Sequence, residues 1–328
     1  SSILTNYHWL FMKYFLFPAF ILLSGCQSTL LSQDNTNKEK NYIQAEYIAS
    51  AADINQALLI DENINVIHPV DDVAFSLLSK DKALQSSNDV WQRIREKLTF
   101  DIPENNRVVE QRNWYVKHPS YLTRVAKRAE PFLYYIVEEL EKNNVPVELA
   151  LLPIVESAFD PFAYSHGRAS GMWQFIPGTG TRFGMKQNWW YDGRRDVVAS
   201  TQGAIKYMKY LHKFFDGDWL LALAAYNSGE GRVQRAVRKN KKQGKNTDFW
   251  ALGLPKETKA YVPKLLALAD IIKRPEQFNL NLYEIANEEV ISQVDIKSQL
   301  DLAKAASLAG LSLTELQRLN PGFNRWST

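Results

Sequence analysis

Apolar positions recur at helical spacing through the middle of this chain and thin out on either side of it. From Pro119 to Lys142, residues Leu122, Val125, Ala129, Phe132, Leu133, Ile136, Val137 and Leu140 keep to one face of a 3.6-residue period. That spacing predicts one long amphipathic helix, ended by Asn143-Asn144. Pro146 suits the first turn of a following helix. This next helix, Val147 to Phe159, is apolar nearly all round and should be buried, with Asp160-Pro161 as its stop. Asp196 stands where it can cap a helix from Val197 to Phe215, which Asp216-Gly217 ends. Trp219 to Tyr226 reads as a second buried helix, closed by Asn227-Ser228-Gly229. A basic helix from about Gly231 to Asn240 follows, then Glu257 to Lys273, which Pro263 should bend or break. Strand signals are few, so residues 106–278 are expected to form a mainly α-helical unit.

The flanks differ in character. Residues 43–105 carry shorter helical patterns, such as Asp72 to Leu78 and Val90 to Leu98, and read as an N-terminal helical extension with no assignable function. Residues 27–42 are rich in Ser, Gln, Asn, Thr and Lys, the composition of a flexible tether. Before them, Tyr14 to Leu23 is an apolar run about half the length of a membrane-spanning helix, which takes about 20 residues. Lys13 precedes it and Leu23-Ser24-Gly25-Cys26 follows it, the layout of a secretory signal over residues 1–26. The last four residues resemble the lipobox of bacterial lipoproteins, which implies lipidation of Cys26 and a membrane anchor. A buried cysteine at the end of a core segment is the other reading. Met12-Lys13 would begin such a signal, placing residues 1–11 upstream of the natural start. Gln27, where an Asp would favour retention at the inner membrane, points to the outer membrane and a periplasm-facing protein.

Composition narrows the function classes. The chain has 328 residues, 45% of them hydrophobic, so it can bury a large core with small appendages. A net charge of +3 argues against a protein built to coat nucleic acid. Cys26 is the single cysteine, which excludes an intrachain disulfide and a cysteine metal cluster. His8, His68, His118, His166 and His212 show no metal-ligand spacing, so no metal and no cofactor is expected.

Candidate chemistry centres on Glu156, the one ionisable side chain between Leu149 and Phe159. Its neighbours Leu151, Leu152, Ile154, Val155, Ala158 and Phe159 make ionisation costly, which raises a carboxyl pKa. A general acid needs that property to protonate a leaving oxygen near neutral pH. Helical periodicity alone leaves open an ordinary glutamate paired with a cation in the core. The polar, glycine-rich stretch after it, from Ser157 through Ser165, Gly167, Ser170, Gly171 and Gln174 to Gly180, is the kind of loop on which sites sit. Met172-Trp173-Gln174-Phe175-Ile176-Pro177 sets large apolar groups around one amide, which suits a sugar site.

Three segments carry a family resemblance: Pro153 to Pro161, Ala169 to Thr179, and Ala224 to Arg232. In this order they resemble the signature segments of family 1 lytic transglycosylases, and Trp190 to Asp196 and Glu257 to Lys264 extend the likeness. The resemblance covers about residues 90–275 and implies a lysozyme-like helical catalytic domain related to goose-type lysozyme. It implies that Glu156 is the catalytic acid/base and that Ser165 contacts a substrate acetamide. It implies that Gln174 and Ile176 line the cleft, and that Tyr226, Asn227 and Tyr261 surround the carboxyl. Trp173 stands where many relatives carry Met, and is expected to serve as sugar wall. Asp160 could be a second carboxylate, though Asp-Pro is an ordinary helix stop, and Asn227 could simply end a helix. The reaction implied is cleavage of peptidoglycan glycan strands without water, leaving 1,6-anhydromuramoyl ends. A lysozyme-type muramidase and a non-catalytic peptidoglycan-binding lipoprotein are the alternatives. The run Arg232, Arg235, Arg238, Lys239, Lys241, Lys242 and Lys245 reads as a solvated basic face, with attraction to the carboxylates of peptide stems as a further use. An export signal does not fit nucleic-acid binding. Residues 279–328, with Asp301 to Ala306, Leu311 to Leu316 and Leu319 to Gly322, resemble the helical half of a LysM carbohydrate-binding module, with further repeats expected beyond Thr328.

Overall fold

The computed structural model of the protein describes residues 88–328 and the backbone strand β1, His8–Met12. Cys26 with its signal-like surroundings, the tether and the pattern Asp72 to Leu78 lie outside the described residues. The architecture is mainly helical, as the apolar spacing predicts. Helix α1, Val90–Lys97, starts at Asp89, whose side chain accepts from the Trp91 N–H. It packs into the same core as the later helices. Val90 and Ile94 are fully buried, the Val90 N–H donates to the Ile285 carbonyl at 2.8 Å, and Trp91 Nε1 donates to the Tyr283 carbonyl at 2.9 Å. Helix α1 thus shares the hydrophobic core of the later helices. So do Leu280 and Ile285. An apolar stripe on eight residues is too small to form a core alone and is buried only against its neighbours.

Helix α2, Asn106–Lys117, lies along the last long helix of the unit. The single helix expected from Pro119 to Lys142 is two, α3 Pro119–Ala129 and α4 Leu133–Lys142. Pro131 is the reason, because it has no N–H to donate and its ring collides with the preceding turn. Phe132 instead closes a tight turn onto the Ala129 carbonyl at 2.8 Å. The apolar face survives the break, with Val125, Ala129, Leu133, Ile136 and Leu140 buried.

The buried helix expected over Val147 to Phe159 is likewise corrected. A 3-10 turn, Val147–Leu151, precedes α5, Leu152–Ser157. Pro153 again lacks the N–H an uninterrupted α-helix would use. Helix α5 ends before Asp160-Pro161, because Ala158 and Phe159 both turn left-handed, at φ 52° and 57°. Their N–H groups fold back onto the carbonyls of Ile154 and Pro153 at 3.2 and 3.0 Å. Left-handed backbone at non-glycine residues costs about 1–3 kcal/mol each, which complete burial of Phe159 offsets.

After the short helix α6, Pro177–Arg182, come α7 Val197–Phe214, α8 Trp219–Ser228, α9 Glu230–Lys242 and α10 Lys256–Lys273. Asp196 caps α7 by accepting from the Ala199 N–H at 2.7 Å. Pro263 does not end α10. Val262, Leu265 and Leu266 around it are fully buried, so packing holds the helix through one missing hydrogen bond.

The C-terminal segment forms β2 Ile291–Asp295, α11 Leu302–Ala309 and α12 Leu313–Leu319 around a small second core of Leu302, Ala305, Ala306 and Leu316. Strand β2 pairs antiparallel with β1, His8 opposite Asp295 and Met12 opposite Ile291. A seam joins this segment to the loop before α7. The Asp192 N–H donates to the Gly322 carbonyl and the Asn324 N–H to the Trp190 carbonyl, both at 2.7 Å. A Cβ on Gly322 would stand 2.7 Å from the Tyr191 ring. No helix among the described residues is long and apolar enough to cross a membrane.

Candidate active site

The seven residues that the family resemblance assigns to catalysis and substrate contact line one cleft of about 680 Å³: Glu156, Ser165, Gln174, Ile176, Tyr226, Asn227 and Tyr261. They come from the end of α5, the loop after it, the end of α8 and the first half of α10. The two left-handed residues after Ser157 stop α5 one turn after its buried face, so Glu156 meets the cleft while Ile154 stays in the core.

Glu156 has the environment its sequence neighbours imply. Burial pushes its carboxyl up from 4.5 to about 7, and the charge of Glu257 adds to the rise. A hydrogen bond from the Tyr261 hydroxyl to Oε1 and the charge of Lys264 act the other way. Burial also holds the Tyr261 and Tyr226 phenols well above their usual range, so both stay protonated donors. Tyr226 donates to the Trp173 carbonyl at 2.8 Å, which ties the end of α8 to the loop.

That loop is shaped by its own backbone. Gly171 takes φ +81°, and a Cβ there would stand 2.0 Å from the Arg194 carbonyl oxygen, so only glycine fits. Gln174 is also left-handed, at φ 50°, and its Nε2 donates to the Gly171 and Ala163 carbonyls at 2.8 and 3.3 Å. The donor end of this amide braces the loop, and its carbonyl oxygen is the end left to meet a ligand. Ser165 Oγ accepts from the Ala169 N–H at 3.0 Å, which leaves the hydroxyl proton free for an acceptor such as an acetamide oxygen. Ser157 packs against the loop, donating to the Met172 carbonyl at 2.9 Å.

Trp173 is corrected. It is 1% exposed and donates through Nε1 to Thr201 Oγ1 at 3.2 Å, so it is a core residue and not a sugar wall. Ile176, half exposed, supplies apolar surface at the cleft instead. Asp160 lies outside the cleft, on a separate groove with Phe162 and Arg318, and its Oδ1 accepts from the Phe162 N–H at 2.9 Å in a local turn.

Sequence reasoning missed four contributors. Glu257, Glu230 and Lys264 line the cleft with Glu156. Buried Thr258 donates to Asn227 Oδ1 at 2.8 Å, which fixes the Asn227 amide so that its Nδ2 reaches Glu257 Oε1 at 3.3 Å. The adjacency of Glu257 and Thr258 in the segment leading to Tyr261 was the available signal.

Comparison with known proteins now adds to this geometry. Residues 134–249 match the transglycosylase SLT domain, and residues 290–328 match the LysM-like domain of lytic transglycosylase MltD. The membrane-bound lytic murein transglycosylase D of Escherichia coli (strain K12) is 44% identical over 305 residues, covering 93% of this chain and 63% of that protein. The chain carries a transglycosylase SLT domain and is similar to the lytic transglycosylases, spanning under two thirds of the length of this relative. A protein of Alteromonas sp. (strain M-1) named for tributyltin chloride resistance is 47% identical over 163 residues, 48% of this chain and 78% of that one. Among solved structures, the 70 kDa soluble lytic transglycosylase of Escherichia coli aligns at a TM-score of 0.36 and 19% identity, over 54% of this chain and 32% of that one. The match to the family covers the helices that carry Glu156, Ser165, Gln174, Tyr226 and Asn227, while Tyr261 lies beyond residue 249. The LysM-like match begins next to β2.

Proposed function

We propose that this protein cleaves the glycan strands of peptidoglycan between N-acetylmuramic acid and N-acetylglucosamine without consuming water, as a carbon–oxygen lyase acting on a polysaccharide. The observation that carries the reading is a cleft glutamate held near pKa 7 by burial and donated to by a protonated tyrosine. Glu156, protonated, gives its proton to the glycosidic oxygen as the bond to C1 breaks. Positive charge at C1 is relieved by the N-acetyl group of the same sugar, which Ser165 orients. Tyr261 steadies the carboxylate formed at this point. Glu156 then takes the proton of the C6 hydroxyl, whose oxygen closes on C1 to give a 1,6-anhydromuramoyl end. One proton leaves Glu156 and one returns, so the enzyme is regenerated. Gln174, Ile176, Tyr226 and Asn227 serve as the sugar-contacting surface. No metal or cofactor takes part in these steps.

A hydrolase is the second reading, and Glu257 favours it. It lines the same cleft as Glu156, where hydrolysing glycosidases place a second carboxylate. Digestion of purified peptidoglycan with wild type and Glu156→Gln separates these possibilities by product mass. Anhydro ends, lighter by one water, support the lyase; reducing ends support the hydrolase. Full lytic activity in Glu156→Gln overturns both.

The signal-like sequence supports lipidation of Cys26 and a periplasm-facing anchor at the outer membrane. The LysM-like segment supports a second hold on the same glycan. Labelled palmitate incorporated into wild type but not into Cys26→Ser checks the anchor.

A further inference from the structure

The basic face of α9 is the feature that the proposed reaction leaves unused. Arg232, Arg235, Arg238, Lys239, Lys241 and Lys242 are all exposed along this helix. Among the described residues none of them has an ion-pair partner. The one acid of the helix, Glu230, is already taken by Arg182 at 3.3 Å and by the Tyr210 hydroxyl at 3.4 Å.

Stability explains part of this charge. Lys239, Lys241 and Lys242 occupy the last turn, where the helix dipole favours cations. Arg232 and Arg235 stand in the first two turns, where the same dipole opposes them, and the one acid there, Glu230, pairs with Arg182. Their position relative to the cleft is the second observation. Gly229 and Glu230, the start of α9, line the cleft, and Arg232 and Arg235 are exposed within the next two turns. With Glu230 paired to Arg182, no acid of α9 is left to balance Arg232 and Arg235.

We propose that Arg232 and Arg235 bind the carboxylate-bearing peptide stems of the glycan strand whose sugars occupy the cleft. This rests on the peptidoglycan reading above and names the part of the substrate that lies outside the sugar-binding surface. Stems branch from alternate sugars, so a strand held in the cleft must send at least one of them out over a rim. Their carboxylates are the complement of two unpaired guanidinium groups, which grip such groups in a planar fork.

The test compares two forms of the same strand: glycan with its stems, and glycan stripped of them by an amidase. Arg232→Gln/Arg235→Gln is expected to raise KM about fivefold on stemmed strands, the worth of two exposed ion pairs. KM on stripped strands should stay unchanged, and kcat should hold on both. Added salt should erase the wild-type preference for stemmed strands. Arg235→Gln alone, with about a twofold rise, serves if the double variant fails to fold. An equal rise on both substrates, or none on either, overturns the proposal. So does loss of binding to anionic phosphatidylglycerol vesicles with KM unaltered, which would assign the helix to a membrane surface. Absence of any glycan cleavage by the wild type on either substrate would instead sink the peptidoglycan reading itself.

Discussion

Glu156→Gln should inactivate the enzyme and stabilise it, and the stabilisation should depend on pH. A glutamate whose carboxyl stands at about 7 in the fold, against 4.5 ordinarily, binds its proton more tightly folded than unfolded. Below pH 4.5 both states are protonated and the carboxyl costs nothing. Between 4.5 and 7 the unfolded chain gives up the proton first, so stability falls as pH rises, and above 7 the loss is complete. Its full size is about 3 kcal/mol. Solvent in the cleft screens part of this, because Glu156 is part-exposed. The bond from Tyr261, which favours the carboxylate, is already contained in that figure, and glutamine keeps an oxygen that can accept it. A net gain of about 1–2 kcal/mol at pH 8 remains, and none at pH 4. Urea unfolding at the two pH values reads it as a midpoint rise of about 0.5 M at pH 8 alone. Lytic activity should fall by about 10²–10⁴ in the same protein. An equal midpoint shift at both pH values, or none at pH 8, refutes the account of Glu156 as a carboxyl that the fold keeps from ionising.

Further expectations concern its partners. In wild type, kcat/KM should decline tenfold per pH unit above about 7, as the acid form of Glu156 is lost. Tyr261→Phe removes a bond that favours the carboxylate, so the midpoint of that decline should move upward while kcat drops; an unmoved profile rejects the contact as functional. Thr258→Val unfastens the Asn227 amide, and kcat/KM should fall about fivefold with little change in thermal stability, one neutral hydrogen bond's worth. Gly171→Ala drives a methyl into the Arg194 carbonyl and should cost at least about 2 kcal/mol in urea unfolding.

Local signals were legible where one residue decides one feature. Asp196 caps α7 by itself, and its identity and position were enough to place that helix start. Burial of the helix around Glu156 was equally readable, and from it the raised carboxyl. Apolar spacing misled where a proline sits inside it. The pattern from Leu122 to Leu140 runs unbroken across Pro131 because both helices bury the same side, so the turn leaves no gap in the period. Trp173 was misplaced for a related reason. Gly171 and Gln174 are both left-handed, so neither helical nor strand alternation tells which side chains of that loop face inward. Glu257 read as an acid in the first turn of α10, favourable there on local grounds. Its place in the cleft follows from how α10 packs beside α5 and α8, which no nearby residue announces.

The seam between the loop before α7 and the residues after α12 bears on how the two parts of the chain that the proposed function directs to glycan would cooperate. A binding module on a long free linker searches a wide volume, and its partner feels only a low effective concentration of the captured strand. Here two short backbone hydrogen bonds and the close approach of Gly322 to Tyr191 remove that search. A strand caught by the small segment would reach the cleft at one distance and in one orientation. Avidity would then depend on the spacing of sugars along the strand and hardly at all on linker length, so a seam loosened at Gly322 should turn a ruler into a leash.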